Sequence, residues 1–328
     1  MVTRLKKNFA PKPKKRTKVY RVLFLGTPDF AVPTLEALFA DSEIEVPLVI
    51  SQPDSKRGRK MKLTPSPVKQ KALDLGLSVE TPEKISDPDY IKKLEDMKFD
   101  AVLVLAYGQI LKQSLLDILP DKFINIHASL LPRWRGAAPI QRAVMEGDKV
   151  TGLSFQIMRL KLDSGPIIFE EQVEILENED SLQLANRLSL LSKDMVCRVI
   201  KRHIDGLSVP KEQDSRLVTH AKKIEKSESS IDWSKPALEI HNQIRGLKWG
   251  PGAFTHLEGK RVKVSQTFLA SDKVSSQGEV LNLEPDYLEV GCGDGILGIK
   301  SLQAEGKPPQ KIKDFINGYG LTIGQRFS

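Results

Sequence analysis

Two uninterrupted apolar runs, residues 20–25 and 101–106, constrain the fold of this chain more than any other feature. Such runs are typical of strands that are buried on both faces, as in parallel sheets covered by helices. After the first run, Thr27 and Pro28 predict the N-cap and first residue of a helix that extends to about Phe39. We therefore expect the chain to begin with a βα unit of a parallel sheet.

Extended and helical patterns alternate through the following residues. Further strands are expected at 46–51, 78–80 and 123–126, and helices at 66–75, 88–97 and 111–119. Residues 152–158 and 166–173 predict an antiparallel hairpin at the sheet edge, and residues 181–205 predict a long amphipathic helix. This alternation indicates an α/β fold with a Rossmann-like open, mostly parallel sheet.

The first βα turn argues against a dinucleotide site. It contains a single glycine, Gly26. Close approach of a pyrophosphate to the backbone requires the second and third glycines of the dinucleotide fingerprint, which are missing. We therefore set aside a nicotinamide-dependent function.

The second half of the chain predicts a linker and a smaller domain. Residues 207–230 are polar with little periodicity, which indicates a linker. From residue 231 the sequence predicts a helix near 236–244 and a small β-barrel of short strands broken by Gly, Pro and Asp. These strands are expected at 253–257, 260–267, 278–282, 287–291 and 295–303.

The formal charge of +8 is concentrated at the N-terminus. Residues 1–21 hold nine Lys or Arg and no Asp or Glu, which leaves the rest of the chain nearly neutral. We interpret residues 1–20 as a basic, disordered arm, and keep an organelle-targeting segment as the alternative because the arm lacks acids.

Other function classes find little support in the sequence. Cys197 and Cys292 fit no metal-ligand spacing, so we expect neither a metal site nor a disulfide framework, and we favour a reducing compartment. No apolar run reaches the roughly 18 residues that a membrane span needs, so we expect no membrane partner.

The candidate catalytic residues begin near residue 125. Asn125 and His127 lie two apart at the end of a predicted strand, so their side chains point to the same face. Asn can donate a hydrogen bond to a developing oxyanion, and His can exchange a proton near neutral pH. Asp163, which follows the first hairpin strand, can fix the tautomer of a histidine and favour its charged form. Taken alone, Asn125 and His127 are more simply a polar pair at a strand end, and Asp163 is more simply a turn residue.

Motifs spread along the chain carry a resemblance. They are FLGTPDFA at 24–31, QPD at 52–54, PSPVK at 65–69, AYG at 106–108, SLLPRWRGAAPIQ at 129–141, IDW at 231–233, GDG at 293–295, LQ at 302–303 and GK at 306–307. In this order they resemble the methionyl-tRNA formyltransferases, within the wider family of 10-formyltetrahydrofolate-dependent formyltransferases.

The resemblance implies two domains with different functions. Residues 21–206 would be the catalytic domain, and residues 231–328 an OB-like barrel that binds tRNA. Asn125, His127 and Asp163 match the family's catalytic residues. The folate-contacting positions match Tyr107, Gly108, Ser129, Leu130, Leu131 and Pro132, with a cis peptide bond expected before Pro132.

The resemblance also implies a reaction and its partners. The α-amine of charged initiator methionyl-tRNA would attack the formyl group of 10-formyltetrahydrofolate. Asn125 and protonated His127 would stabilise the oxyanion. Lys161 stands where the family usually has glycine, so the turn before Asp163 is expected to differ locally. We expect a monomer in a bacterial-type cytoplasm, with a mitochondrion or plastid as the alternative if the arm is a targeting segment.

Two groups of basic residues indicate that the acceptor of the formyl group is a tRNA. The loop at 55–63 contains five basic residues and no acidic residue, and resembles the loop by which the family contacts the acceptor stem. These residues are Lys56, Arg57, Arg59, Lys60 and Lys62. On the barrel, the candidate tRNA patch comprises Arg245, Lys248, Lys260, Arg261 and Lys263, of which we expect Arg261 and Lys263 to bind tRNA; these could equally be ordinary surface residues. Two alternatives stay open: a formyltransferase acting on an amino sugar or nucleotide, and a non-catalytic RNA-binding protein.

Overall fold

The computed structural model describes residues 18–57, 61–273 and 275–328. Its N-terminal half is an open sheet in the order β11-β10-β8-β7-β1-β3-β6, with β2 paired to β1. These strands are β1 (Tyr20–Gly26), β2 (Ile44–Glu45), β3 (Val49–Ile50), β6 (Val79–Glu80), β7 (Ala101–Leu105), β8 (Phe123–His127), β10 (Val150–Ile157) and β11 (Ile167–Glu174). Strands β1, β3, β6, β7 and β8 pair in parallel, while β10 is antiparallel to both β8 and β11. The mostly parallel sheet and its antiparallel edge hairpin are confirmed.

Helices cover both faces of this sheet, which explains the apolar runs. One face packs with α1 and α6 around Phe24, Leu103 and Phe155, and the other packs around Leu23, Val102 and Leu115. The helices of this half are α1 (Val32–Ala40), α2 (Pro67–Asp74), α3 (Pro88–Asp96), α4 (Gln113–Leu116), α5 (Pro139–Glu146) and α6 (Ser181–Ile204).

Two helix predictions were wrong in extent. The first helix does not begin at Pro28: a 3₁₀ turn spans Asp29–Ala31 and α1 begins at Val32. Pro33 explains the shift, because proline lacks an N–H and is tolerated only in the first turn of an α-helix. The helix expected at 111–119 is reduced to α4, since the residue before Pro120 is disfavoured in helical conformation.

The C-terminal half is a five-stranded antiparallel sheet in the order β13-β14-β17-β16-β15. Its elements are α7 (Ala237–Gly246), β13 (Ala253–Leu257), β14 (Lys260–Ser271), β15 (Val280–Leu283), β16 (Leu288–Gly291), β17 (Ile296–Ala304) and α8 (Ile312–Tyr319). The sequence predicts each of these strands and α7, but misses α8.

The last four residues lie between the two edge strands of this sheet. Ser328 exchanges backbone hydrogen bonds with His256, at 2.8 and 2.9 Å. Phe327 N donates to Gly278 O at 2.8 Å, and Val280 N donates to Gln325 O at 2.8 Å. Because β13 and β15 are the outer strands of the sheet, this segment bridges them and gives the domain a barrel-like form.

Two short strand pairings among the described residues lie outside the two sheets. β4 (Ser55–Arg57) and β5 (Lys62–Thr64) form an antiparallel hairpin, and β9 (Arg135–Gly136) pairs in parallel with β12 (His220–Ala221). The segment expected to be a linker, 207–230, therefore contains a strand that joins the N-terminal half. The expected basic arm lies mostly outside the described residues, although Tyr20 already belongs to β1. Among the described residues, no helix is long and apolar enough to cross a bilayer.

Candidate active site

A cavity of about 580 Å³ opens where the parallel strands end. It lies at the carboxyl ends of β1, β7 and β8, where open α/β sheets place their ligands. The three predicted catalytic residues line it together with segments from both halves of the chain. The lining residues are Phe30, 104–110, 125–128, Gly136, Ala137, 139–141, Met158, Leu162, Asp163 and Trp249.

His127 is buried and its orientation is fixed by the backbone. Its side chain is 7% exposed, and its Nε2 atom lies 2.8 Å from the carbonyl oxygen of Trp134. A carbonyl oxygen only accepts, so Nε2 carries a hydrogen and donates. The other ring nitrogen, Nδ1, faces Asp163 Oδ2 at 3.7 Å. The ring therefore turns Nδ1 toward the carboxylate while Nε2 is held by the backbone.

Asp163 accepts hydrogen bonds from three surrounding groups. Oδ2 accepts from Gly136 N at 2.9 Å, and Oδ1 accepts from Gln156 Nε2 at 3.0 Å and from Asn125 Nδ2 at 3.4 Å. Gln156 lies opposite Asn125 in the pairing of β10 with β8. The turn after β10 folds back over the sheet, which brings Asp163 to residues at the end of β8. Three donors therefore fix the position of the carboxylate beside the imidazole, where its side chain is 9% exposed.

The backbone at Asp163 adopts a left-handed conformation with φ of 49°. Non-glycine residues seldom adopt it, so the surrounding contacts must hold this turn. Lys161 is exposed, and its carbonyl oxygen accepts a hydrogen bond of 2.8 Å from Ser164 Oγ. The turn thus forms with lysine at that position.

Two further polar residues support the site, and the sequence interpretation missed both. Gln156 was counted only as part of a strand, although its register opposite Asn125 is a usable signal. Gln213 lies in the aperiodic segment 207–230 and contacts the backbone at Asp163. No pattern in that segment distinguishes it.

Only some of the expected folate-contacting residues line the cavity. Tyr107 and Gly108 line the cavity, whereas Ser129, Leu130, Leu131 and Pro132 are absent from its lining. The Leu131–Pro132 peptide bond is cis. This four-residue segment is tied to β10, because Ser154 Oγ donates to Ser129 O at 2.8 Å and accepts from Leu131 N at 3.0 Å.

Tyr107 has its phenol inside the protein. The side chain packs with the core on the β7 side of the sheet, and its hydroxyl is buried without a described partner. Burial raises the pKa of this phenol well above its ordinary value. The hydroxyl therefore stays protonated.

The basic residues expected to bind tRNA fall into two groups. Lys56 and Lys62 are exposed on the hairpin β4–β5, and Arg57 contributes backbone to β4. Arg59 and Lys60 lie outside the described residues.

On the barrel, Arg261 and Lys263 lie on the outward face of β14, where Lys263 is exposed. The Arg261 guanidinium stacks over the Phe254 ring at 3.8 Å. Arg245 does not join this surface, contrary to the expected patch. It is 8% exposed, bonds to Asn242 Oδ1 and Glu179 O, and burial lowers its pKa.

The cavity has two sides that belong to different hydrophobic cores. Phe30, Ile140 and Trp249 pack with the core on the α1 and α6 face, whereas Tyr107 and Met158 pack with the opposite core. Trp249 comes from the C-terminal half, and Gln141 Nε2 donates to its carbonyl oxygen at 2.9 Å. Within the described ranges, no three His, Cys, Asp or Glu side chains are grouped so that they could hold a metal ion.

Comparison with known proteins places this geometry in a family. Residues 20–200 match the family described as formyl transferase, and residues 223–320 match its C-terminal domain. The methionyl-tRNA formyltransferase of Bdellovibrio bacteriovorus is 41% identical over 311 residues, covering 93% of this chain and 98% of that protein. The protein of the same name from Jannaschia sp. is 42% identical over 304 residues, with coverage of 93% and 98%.

A solved structure supports the fold. An N-formyltransferase from Helicobacter canadensis, in complex with folinic acid and dTDP-3-aminofucose, superposes with a TM-score of 0.64 at 19% identity, covering 87% of this chain and 100% of that one. The two domain matches and the near-full-length relatives decide the classification. The chain belongs to the formyl transferase family, in its methionyl-tRNA formyltransferase branch.

Proposed function

We propose that this protein transfers a formyl group from 10-formyltetrahydrofolate to the α-amine of methionyl-initiator tRNA. The observation that carries the proposal is the grouping of Asn125, His127 and Asp163 at the end of β8, within one cavity. The near-full-length similarity to methionyl-tRNA formyltransferases supports the choice of acceptor. The product is formylmethionyl-tRNA for translation initiation.

The proposed reaction is an acyl transfer in two steps. The neutral amine forms a C–N bond with the formyl carbon, and the formyl oxygen becomes an oxyanion. Asn125 Nδ2 and the protonated Nδ1 of His127 stabilise that oxyanion. Asp163 orients the ring and assists removal of the proton from the attacking amine. The bond from the formyl carbon to N10 then breaks, and N10 takes up a proton.

We assign the two sides of the cavity to the two substrates. Tyr107 and Gly108 lie on the side proposed for the folate, where the exposed side chains of Ile110 and Leu162 give the opening an apolar rim. A flat pterin and its aromatic linker suit such a rim, because they cover apolar surface. Ser129, Leu130, Leu131 and Pro132 then act from behind the cavity, by fixing the backbone next to His127.

The proposal is tested by incubating the protein with 10-formyltetrahydrofolate and charged initiator tRNA. We expect the mass of the methionyl group to increase by one formyl group. Transfer to an amino sugar or nucleotide, with none to charged tRNA, would favour the small-molecule alternative. Binding of tRNA without transfer to any acceptor would favour the non-catalytic one.

The methionyl side chain is proposed to bind against Trp249. This ring and that of Phe30 lie 6.0 Å apart by centroid, and aromatic edges suit a thioether. We expect Trp249→Ala to lower kcat/KM for methionyl-tRNA about 10–100-fold. For the same tRNA charged with alanine, the fall in kcat/KM caused by Trp249→Ala should be much smaller. Trp249→Phe should restore most of the kcat/KM for methionyl-tRNA. An equal loss for both acceptors would contradict this assignment.

The basic hairpin is proposed to bind the acceptor stem. We expect Lys56→Glu and Lys62→Glu each to raise the KM for tRNA about tenfold and to reduce the slope of log affinity against log salt by about one. The value of kcat should change little, because neither lysine lines the cavity. Lys92→Glu, at an exposed position on α3, is the matched control. Equal effects of Lys92→Glu and Lys56→Glu would remove the hairpin from the interface.

The remaining proposals concern further tRNA contacts, the oligomeric state and the cellular compartment. We assign Arg57, Arg59 and Lys60 to the same acceptor-stem contact, and Arg261 and Lys263 to a contact on the barrel. Stacking of Arg261 on Phe254 supports that role, because a cation held over an aromatic ring is well suited to RNA. We propose a monomer acting in a bacterial-type cytoplasm, consistent with the bacterial relatives.

A further inference from the structure

The segment between the domains lies against the catalytic residues. Residues 220–221 pair with β9, and Lys211 exchanges backbone hydrogen bonds of 2.8 Å with Ile167. Arg135 N donates to Thr219 O at 2.9 Å. Residues 211–221, which we call the crossing segment, are therefore attached to the N-terminal half at both ends.

The Gln213 side chain links this segment to the turn that carries Asp163. Its Nε2 donates to Gly165 O at 2.7 Å and to Asp163 O at 3.0 Å. Its Oε1 accepts from Arg135 Nε at 3.0 Å and from Nη2 at 2.7 Å. The amide thus uses its donors on the turn and its acceptor on the neighbouring Arg135.

These bonds act on a turn whose backbone conformation is unfavourable for a non-glycine residue. Asp163 has a positive φ, which non-glycine residues seldom adopt. Gln213 fixes the carbonyl groups on both sides of Ser164, so the direction of the Asp163 side chain depends on it. Gln213 Nε2 also lies 3.3 Å from Gln156 Oε1, whose own amide donates to the Asp163 carboxylate.

The same segment reaches His127 by a second route. Thr219 Oγ1 accepts a hydrogen bond of 2.9 Å from Trp134 N. The carbonyl group of Trp134 in turn accepts from His127 Nε2. Asp163 and His127 are therefore each positioned indirectly, Asp163 by Gln213 and His127 by Thr219.

We propose that Gln213 is a positioning residue for Asp163 and that Thr219 is one for His127, so that the crossing segment is part of the catalytic apparatus. Neither residue lines the cavity: Gln213 acts through the backbone of the turn that carries Asp163, and Thr219 acts through the backbone of Trp134. The inference rests on the proposed function for its kinetic test, and a spectroscopic test is independent of it.

The kinetic test uses substitutions that separate the hydrogen bonds of Gln213. Gln213→Ala is expected to lower kcat about 10–100-fold, with both KM values within about twofold of the wild type. Gln213→Glu keeps oxygens for Arg135 but loses the donors to Asp163 O and Gly165 O, so it should lose as much kcat as Gln213→Ala. Thr219→Val should lower kcat less, about 3–10-fold. The exposed Gln277→Ala is the matched control.

The spectroscopic test reads the ring of His127 directly. The ¹⁵N ring resonances of the five histidines are recorded at one pH, with His127 assigned by its loss in His127→Asn. We expect Gln213→Ala to move the Nδ1 resonance of His127 and to leave the melting temperature nearly unchanged. An unmoved resonance, or a fully active Gln213→Glu variant, would overturn the proposal. If the wild type transfers no formyl group, the proposed function fails while this resonance still tests the positioning.

Discussion

Asn125→Ala is expected to lower kcat for formyl transfer to methionyl-tRNA by about 10²–10³, corresponding to the loss of one oxyanion donor. Its Nδ2 group donates only a long hydrogen bond, 3.4 Å, to Asp163 Oδ1. Among the described residues its second N–H has no acceptor, so it can point into the cavity that Asn125 lines. Since the oxyanion exists only after attack, kcat should fall while both KM values stay within a few-fold. Steady-state kinetics with each substrate varied in turn measures this.

The control for this variant removes an amide elsewhere. Asn317→Ala, at an exposed position on α8, should leave kcat unchanged. Asn125→Asp keeps the size of the side chain but replaces the donor by an oxygen, so it should be at least as impaired as Asn125→Ala. Activity of Asn125→Ala near the wild-type level would exclude the proposed oxyanion role.

Asp163→Asn is expected to lower kcat by about 10³–10⁴, the scale seen when the carboxylate partner of a catalytic histidine becomes an amide. The two carboxylate oxygens face the donors Gly136 N, Gln156 Nε2 and Asn125 Nδ2. An amide in that position directs its NH₂ group at a donor and leaves it unpaired. It also removes the negative charge beside His127.

The contrast with a surface aspartate makes this test specific. Asp194→Asn makes the same change at an exposed position on α6, and kcat should be unaffected. The melting temperature of each variant shows whether the loss is local. If Asp163→Asn keeps kcat within threefold of the wild type, Asp163 does not orient or charge His127.

Much of the fold is readable from the sequence because burial leaves a pattern. The runs at 20–25 and 101–106 form central strands that are covered on both faces. The two extended stretches predicted after residue 150 form the edge hairpin. The extents of α1 and α4 were misjudged because Pro33 and Pro120 override the apolar periodicity around them. Helix α8 was missed, since it follows a stretch of Gly, Lys and Pro that indicates a loop.

The site is only partly readable, for a different reason. Asn125 and His127 share a strand face by simple alternation, which a sequence displays directly. Their meeting with Asp163 depends on a turn that folds back over the sheet, and periodicity does not encode such a turn. Gln213 and Trp249 reach the same region from 50 and 86 residues beyond Asp163, through contacts between separate elements. Arg245 shows the converse error, because its charge suggested a surface while its position on α7 buries it.

The bridge made by residues 325–328 has a consequence for the order in which the molecule assembles. The sheet of the N-terminal half is complete at β11, from residues that leave the ribosome early. The two edge strands of the second sheet are bridged only when residues 325–328 reach the chain near residues 256 and 280, and forming such long-range contacts is slow. A chain under synthesis would therefore hold a folded N-terminal sheet beside an open second sheet, whose unpaired edge strands can pair with other chains until residues 325–328 are in place.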